Sequence, residues 1–281
     1  MALAVNTNMA SLNSISNLNK VQTNLTKSLA RISSGVRITT AADDAAGLGV
    51  AENLAAATRS LKMAQRNTND GISVVQTAEG ATAEISTILK RMRELAVQSA
   101  SDTLENQERT YVNDEFAALG SEIDRIAEVT EFNGVPLLNA AAAALTNLSV
   151  QVGIDGSANS RIDIALFNVR SDAANMAVDT GSMDLLTSAN AQTALAGLDT
   201  AIDFINTVRS SFGAVQNRLE SAYRQTDNYY LNLRESESRI RDTDYAMESA
   251  QLSKFQIMQQ AGVAVLAQAK TINASAAQLI G

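Results

Sequence analysis

The chain has 281 residues, rich in Ala, Leu, Ile and Val, with few aromatics, no Trp and a single Pro; this composition suits long helices and argues against a many-stranded β protein. It contains no Cys and no His, which removes disulfides, thiolate and imidazole metal sites, and the commonest nucleophile and general base. A net charge of −8 argues against a nucleic-acid surface, which needs a basic stripe, and no apolar run is long enough to suggest membrane insertion.

The charge is unevenly spread. All 30 acidic residues fall between Asp43 and Glu248, facing 16 basic ones in that span. Residues 1–42 carry only Lys20, Lys27, Arg31 and Arg37, and residues 249–281 only Lys254 and Lys270. The opening segment has neither a basic start nor a continuous apolar block, so a secretory signal peptide is not expected. Over 12–36, Leu12, Ile15, Leu18, Val21, Leu25, Leu29, Ile32 and Val36 recur in steps of three and four, a helical stripe close to a heptad seam. In "TAADDAAGLGV" (40–50), adjacent carboxylates on a helix point about 100° apart and do not converge on a metal. The expectation is a helix start instead, with Thr40 as N-cap and Asp43 three residues on.

A helical pattern then runs from about 41 to the high 90s. "GLG" (47–49) has no preceding strand and no following Lys, so it is no phosphate loop. "LKRMREL" (89–95) reads as a solvated basic face. Asp102 and Glu105 fit a capping box, opening a helix with Val112, Phe116, Leu119, Ile123 and Ile126 on one stripe. "FNGVP" (132–136) ends it at an Asn-Gly turn. From 148 to 166 the period changes to two on both sides of "DGSANS", which predicts a β-hairpin; 175–190 reads as loop. A last long helix carries Leu195, Leu198, Ile202, Ile205, Val208, Phe212, Val215 and Leu219 and is expected to continue past Ile240. The far end repeats the first stripe with Leu252, Phe255, Met258, Gly262, Val265, Ala269, Ile272, Ala276 and Leu279. Two such stripes zip into a coiled coil. The expected fold is mainly α: a long antiparallel helical bundle or coiled coil of N- and C-terminal segments with a small central β-hairpin region, about 140–175. Its division is 1–42 plus 244–281 as a terminal coiled coil and 43–243 as the charged helical body.

Several long segments carry a family likeness. "LARISSGVRITTAADDAAGLGVAENL", "QRNTNDGISVVQTAEGATAEISTILKRMRELAVQSA", "EIDRIAEVTEFNGVPLLN", "FGAVQNRLES" and "SRIRDTDYAMESAQLSKFQIMQQAGVAVLAQA" resemble bacterial flagellin over about 1–140 and 195–281. The resemblance implies an extracellular structural subunit of the flagellar filament, exported through the flagellar type III channel, with no catalytic role and no cofactor. In that family the terminal segments form an inner core and the next layer an outer core. The short middle, about 141–190, implies that variable outer domains are missing. The polymerisation interface expected from this likeness and the stripes comprises Leu18, Val21, Leu25, Leu29, Ile32, Leu252, Phe255, Met258, Val265 and Ile272. Implied partners are further copies of the chain, the filament cap and hook-associated proteins, an export chaperone on the C-terminal helix, and the flagellin-sensing Toll-like receptor of a host. Residue by residue, the receptor-recognition positions fall on Arg91, Leu95 and Glu115, a face expected to be covered in the filament. A hook–filament junction protein shares the terminal helices. A chemoreceptor-like helical hairpin would need uninterrupted heptads where this chain places a β-hairpin.

Overall fold

The computed structural model describes residues 7–140, 146–173, 176, 178 and 183–278, and of 272–278 the helical backbone alone. The predicted loop at 175–190 lies partly outside the described residues, as do the side chains of Ile272 and Ala276 and all of Leu279. Among the described residues the chain is mainly α, built on five long helices: α1 (Met9–Ser34), α2 (Ala45–Ser99), α3 (Asn106–Val129), α4 (Ser188–Arg241) and α5 (Tyr245–Gln278). Four short strands accompany them: β1 (Glu131–Phe132), β2 (Val135–Pro136), β3 (Asn147–Gln151) and β4 (Arg161–Ala165). Two compact units result, Met1–Thr58 with Asn232–Gly281, and Arg59–Leu231.

The second unit holds the main core. Along α2 one buried seam runs through Leu61, Ala64, Thr68, Gly71, Val75, Ala78, Thr82, Ile85, Leu89, Met92, Ala96 and Ser99, alternating steps of three and four as a bundle helix requires, with Val74, Ser86 and Leu95 buried beside it. α4 answers with Ala191, Ala194, Leu198, Ala201, Ile205, Val208, Phe212, Val215 and Leu219 in the same rhythm. The buried threonines of α2 cost little, because Thr68 and Thr82 donate their hydroxyls to the carbonyls of Ala64 and Ala78. α3 adds Val112, Phe116, Ile123 and Ala127.

β1 and β2 pair antiparallel across Asn133-Gly134. Both central residues have positive φ, 52° and 77°, the mark of a type I′ turn and the reason Asn-Gly stands there. β3 and β4 form the predicted hairpin, pairing Leu148 with Ile164 and Val150 with Ile162. Ile162 and Ile164 are buried while Arg161 and Asp163 face out, the period of two that marked the segment. The hairpin lies so close to α2 at Gly71 that a Cβ there would meet Val150 Cγ2 at 3.0 Å.

Three sequence expectations are corrected. Thr40 is not the N-cap of α2. The cap is Asp44, whose carbonyl accepts from Leu48 N–H and whose carboxylate accepts from Gly47 N–H at 2.8 Å, because residues 40–43 make a separate turn closed by Asp43 N–H to Thr40 O. The capping box of α3 is Glu105 with Glu108, not Asp102 with Glu105; residues 100–104 are spent turning the chain. Finally, α4 passes Ile240 as expected but by one residue only, short of the terminal segment towards which it was expected to continue. It stops at Arg241, and Asp244 caps α5 by accepting from Ala246 and Met247 N–H.

Candidate functional site

The first unit is organised by α1 and α5. Asn8 donates its side-chain amide to Ala269 O at 2.9 Å, Gln259 donates to Gln22 Oε1 at 2.6 Å, and Arg31 lies 3.9 Å from Glu248. As residue numbers rise on one helix they fall on the other, so the pair is antiparallel. Besides Arg31, the half-buried or buried positions of α1 are Ser11, Ser14, Leu18, Val21, Leu25, Ser28 and Ile32. Besides Glu248, those of α5 are Leu252, Phe255, Gln259, Gly262, Leu266 and Ala269. Each set steps by three and four, a heptad seam.

The expected interface residues therefore divide. Leu18, Val21, Leu25, Ile32, Leu252 and Phe255 sit in the seam between the two helices of one chain. Leu29, Met258 and Val265 do not; they are 57%, 42% and 58% exposed. The seam uses Ser28, Gln259 and Leu266 where the stripes of large apolar residues pointed to Leu29, Met258 and Val265. Small or amphipathic side chains let the backbones approach, and a Cβ on Gly262 would stand 3.2 Å from Leu18 Cδ1. The displaced residues join Met9, Leu12, Ile15, Ile257 and Val263 as apolar side chains turned outward. A run of such residues on two helices is far more apolar surface than scattered exposure produces.

Where both helices of the coiled coil meet the rest of the unit, the two linkers pair. Gly35 ends α1 in the left-handed conformation, φ 72°. Val36 bridges Asp242, Arg37 N–H donates to Arg241 O, and Thr243 N–H donates to Gly35 O. Asp43 closes the junction: it accepts from the hydroxyls of Thr40 and Thr39 and lies 3.7 Å from Arg31 and 3.8 Å from Lys27. The Thr40 and Thr39 hydroxyls, with Lys27 nearby, hold the Asp43 carboxyl below its ordinary value. The adjacent aspartates thus do two separate structural jobs, and among the described residues no group of metal-binding side chains exists.

In the second unit the structure brings together two of the three positions expected for receptor recognition. Arg91 Nε and Nη2 both donate to Glu115 Oε1, at 3.0 and 2.8 Å, and Nη1 reaches Glu94 at 3.2 Å. Leu95 is not part of that surface; it is 2% exposed and packs in the core. Arg93 beside it pairs with Asp199 at 2.7 Å, which pulls the Asp199 carboxyl below its ordinary value. Sequence reading passed over Arg109, which is buried and donates to the Ser99 and Ser101 carbonyls at the end of α2. A cation there satisfies carbonyls the helix leaves orphaned; its only sequence signal is an Arg in the first turn of a helix, where acids are favoured.

The chain matches the family description "Bacterial flagellin N-terminal helical region" over residues 5–143 and "Bacterial flagellin C-terminal helical region" over 195–280. It is 39% identical to a flagellin of Halalkalibacterium halodurans over 99% of this chain and all of that one. A Bacillus subtilis flagellin is 37% identical, again over 99% and 100%. Among solved structures, a Bacillus cereus flagellin superposes with TM-score 0.50 at 34% identity, covering 57% of this chain and 88% of that one. A putative flagellar hook-associated protein from Vibrio parahaemolyticus gives TM-score 0.58 over 71% of this chain and all of that one, at 14% identity, a likeness of fold.

Proposed function

This chain belongs to the bacterial flagellin family, and from that premise we propose that the outward apolar faces of α1 and α5 are the surfaces by which its copies pack. It is a structural subunit of the flagellar filament, an extracellular polymer of the bacterial flagellum made by self-assembly. The role is mechanical, with no catalysis. Residues 1–42 with 244–281 form the inner core layer and 43–243 the outer one. The chain reaches the growing tip unfolded through the flagellar type III channel. An export chaperone holds its C-terminal helix beforehand, and cap and hook-associated proteins contact it at the filament ends.

One observation carries the assembly reading: Leu29 and Val265 are large, apolar and more than half exposed on helices whose own seam is already filled. Leaving them wet forgoes roughly 1–2 kcal/mol each, which burial against a neighbour recovers. Leu29→Asp and Val265→Asp should each fold normally, with unchanged circular dichroism, and should cut growth on sheared filament seeds at least tenfold. Growth at the parent rate by both variants removes the proposal. The interface then comprises these outward residues together with the seam residues Leu18, Val21, Leu25, Ile32, Leu252 and Phe255, which hold the two helices in register, and Ile272 beyond them.

The released subunit is a ligand of the flagellin-sensing Toll-like receptor through the Arg91–Glu115 surface, with Leu95 supporting it from beneath. That pair is exposed and already fixed by two hydrogen bonds, so little side-chain freedom is lost on docking. Pure monomer should activate a receptor reporter cell, and Arg91→Ala should weaken the response about tenfold or more. A silent reporter with unmodified monomer refutes the assignment.

A further inference from the structure

We propose that Met258 is an oxidation-sensitive site: conversion of its thioether to the sulfoxide by a peroxide blocks addition of the subunit to the filament, and reduction restores it. The proposal rests on the outward-face packing described above and names a chemistry that regulates it.

The methionines of the described chain differ sharply in setting. Met92 and Met176 are fully buried and Met183 half-buried, whereas Met9, Met63, Met247 and Met258 are exposed. Of these four, Met258 lines an apolar groove of about 300 Å³ on the α1–α5 pair, with Leu18, Val21, Gly262 and Val265. Residues 258, 262 and 265 share one face of α5 by helical spacing. The groove floor is closely packed: a Cβ on Gly262 of α5 would stand 3.2 Å from Leu18 Cδ1 of α1. A second copy of this chain is the occupant, since the subunit self-assembles and its own apolar outward residues are the side chains at hand to fill the groove.

A thioether suits such a groove: it is flexible, polarisable and makes no demand for a hydrogen bond. Peroxide changes that. A sulfur lone pair attacks one peroxide oxygen, the O–O bond breaks and an S–O bond forms; proton transfer gives water, the sulfur losing two electrons and the peroxide gaining them. The sulfoxide oxygen is a strong acceptor. In the free subunit water satisfies it and the fold is undisturbed. A neighbour seated in the groove strips that water, and the lining offers little in exchange: Leu18, Val21, Ala261 and Val265 have no donor, the Ser14 hydroxyl is already given to Ala10 O, and the Asn17 amide is the one side-chain donor left, itself hydrated in the free subunit. A polar sulfoxide in place of a thioether, desolvated in a mostly apolar contact, weakens packing about tenfold or more.

The test uses full-length monomer, hydrogen peroxide, mass spectrometric mapping of each methionine, and growth on sheared seeds of untreated filament. Growth should fall at least about tenfold in step with the fraction of Met258 sulfoxide, and methionine sulfoxide reductase with a thiol reductant should restore it. Met258→Leu should grow on seeds equally before and after peroxide. Undiminished growth by chains oxidised at Met258 overturns the proposal. So does equal loss in Met258→Leu, or a Met258 that stays reduced while Met63 is oxidised. If the leucine variant itself does not assemble, the reductase arm on the natural sequence decides. Failure of the packing reading shows separately, in Leu29→Asp and Val265→Asp, which involve no oxidant.

Discussion

A chain ending at Lys254 should add nothing measurable to filament seeds, while its Arg59–Leu231 unit melts as in the full chain. The truncation removes Phe255, Gln259, Gly262, Leu266 and Ala269, five of the six described seam positions of α5. Leu18, Val21 and Leu25 on α1 lose their cover, and Asn8 loses the Ala269 carbonyl that fixes the helix start. Each half-buried aliphatic side chain so exposed forfeits roughly 1 kcal/mol. A solitary helix of this length is marginal in water even with good formers, and α1 is dense in Ser, Asn and Thr. It should therefore unfold, taking with it the surface that carries Leu12, Ile15 and Leu29. The core of the other unit, from Leu89 and Phe116 to Val208 and Phe212, contains none of the deleted residues. Sedimentation and negative-stain microscopy after seeding would measure growth, and hydrogen exchange over 9–34 would report the loss of α1. Parent-rate growth by the truncated chain would show that the terminal pair is not what assembles.

The stripes of large apolar residues revealed which segments are helices and that the two ends pair, because a heptad period is visible wherever Leu, Ile and Val recur. They misplaced the seam by one residue at several points. At Ser11 and Ser28 small residues fill the seam, and a reading weighted by side-chain size slides to Leu12 and Leu29; on α5 the stripe places Gly262 correctly but takes Met258 and Val265 for Gln259 and Leu266. The same blindness hid Ala191, Ala194 and Ala201 on α4, which are fully buried. Caps were legible as regions but not as residues. Thr40, Asp43 and Asp44 all have capping oxygens, and which one caps depends on where the pairing of Val36 with Asp242 lets the chain turn. The break at 242–244 left only the Asp-Thr-Asp cluster as a trace, since no Gly or Pro marks it. Of the residues proposed for receptor recognition, the Arg91–Glu115 pair bridges 24 residues and two helices, a contact no local pattern predicts; burial of Leu95 follows from the α2 heptad, where it flanks Ala96.

Phe212→Ala should be the most damaging single substitution at a position remote from the assembly surface, lowering the stability of the Arg59–Leu231 unit by about 3–5 kcal/mol. Phe212 is 1% exposed and sits near the middle of α4. Its ring meets Phe167 edge to face, centroids 5.7 Å apart at 77°, and Phe167 meets Phe204 in the same way at 6.4 Å. The aromatic contact accounts for about 0.5–1.5 kcal/mol, and the cavity and lost transfer energy account for the rest. Long α2 and α4 cannot collapse into the void, because each is held in register by buried residues on either side of it. A domain of this size has a total stability of about 5–15 kcal/mol, so a large share is removed at once. At about 2–4 °C per kcal/mol, the melting transition should fall by about 6–20 °C, read by circular dichroism or urea denaturation. Phe204→Ala, at a partly buried ring on the same helix, should cost less. The substitution touches neither seam nor outward face of α1 and α5, so at low temperature the variant should still grow on seeds, and its filaments should fail on heating before the parent's. A melting shift below about 2 °C, which at that conversion is under 1 kcal/mol, would mean that Phe212 does not hold the helices together as its burial indicates.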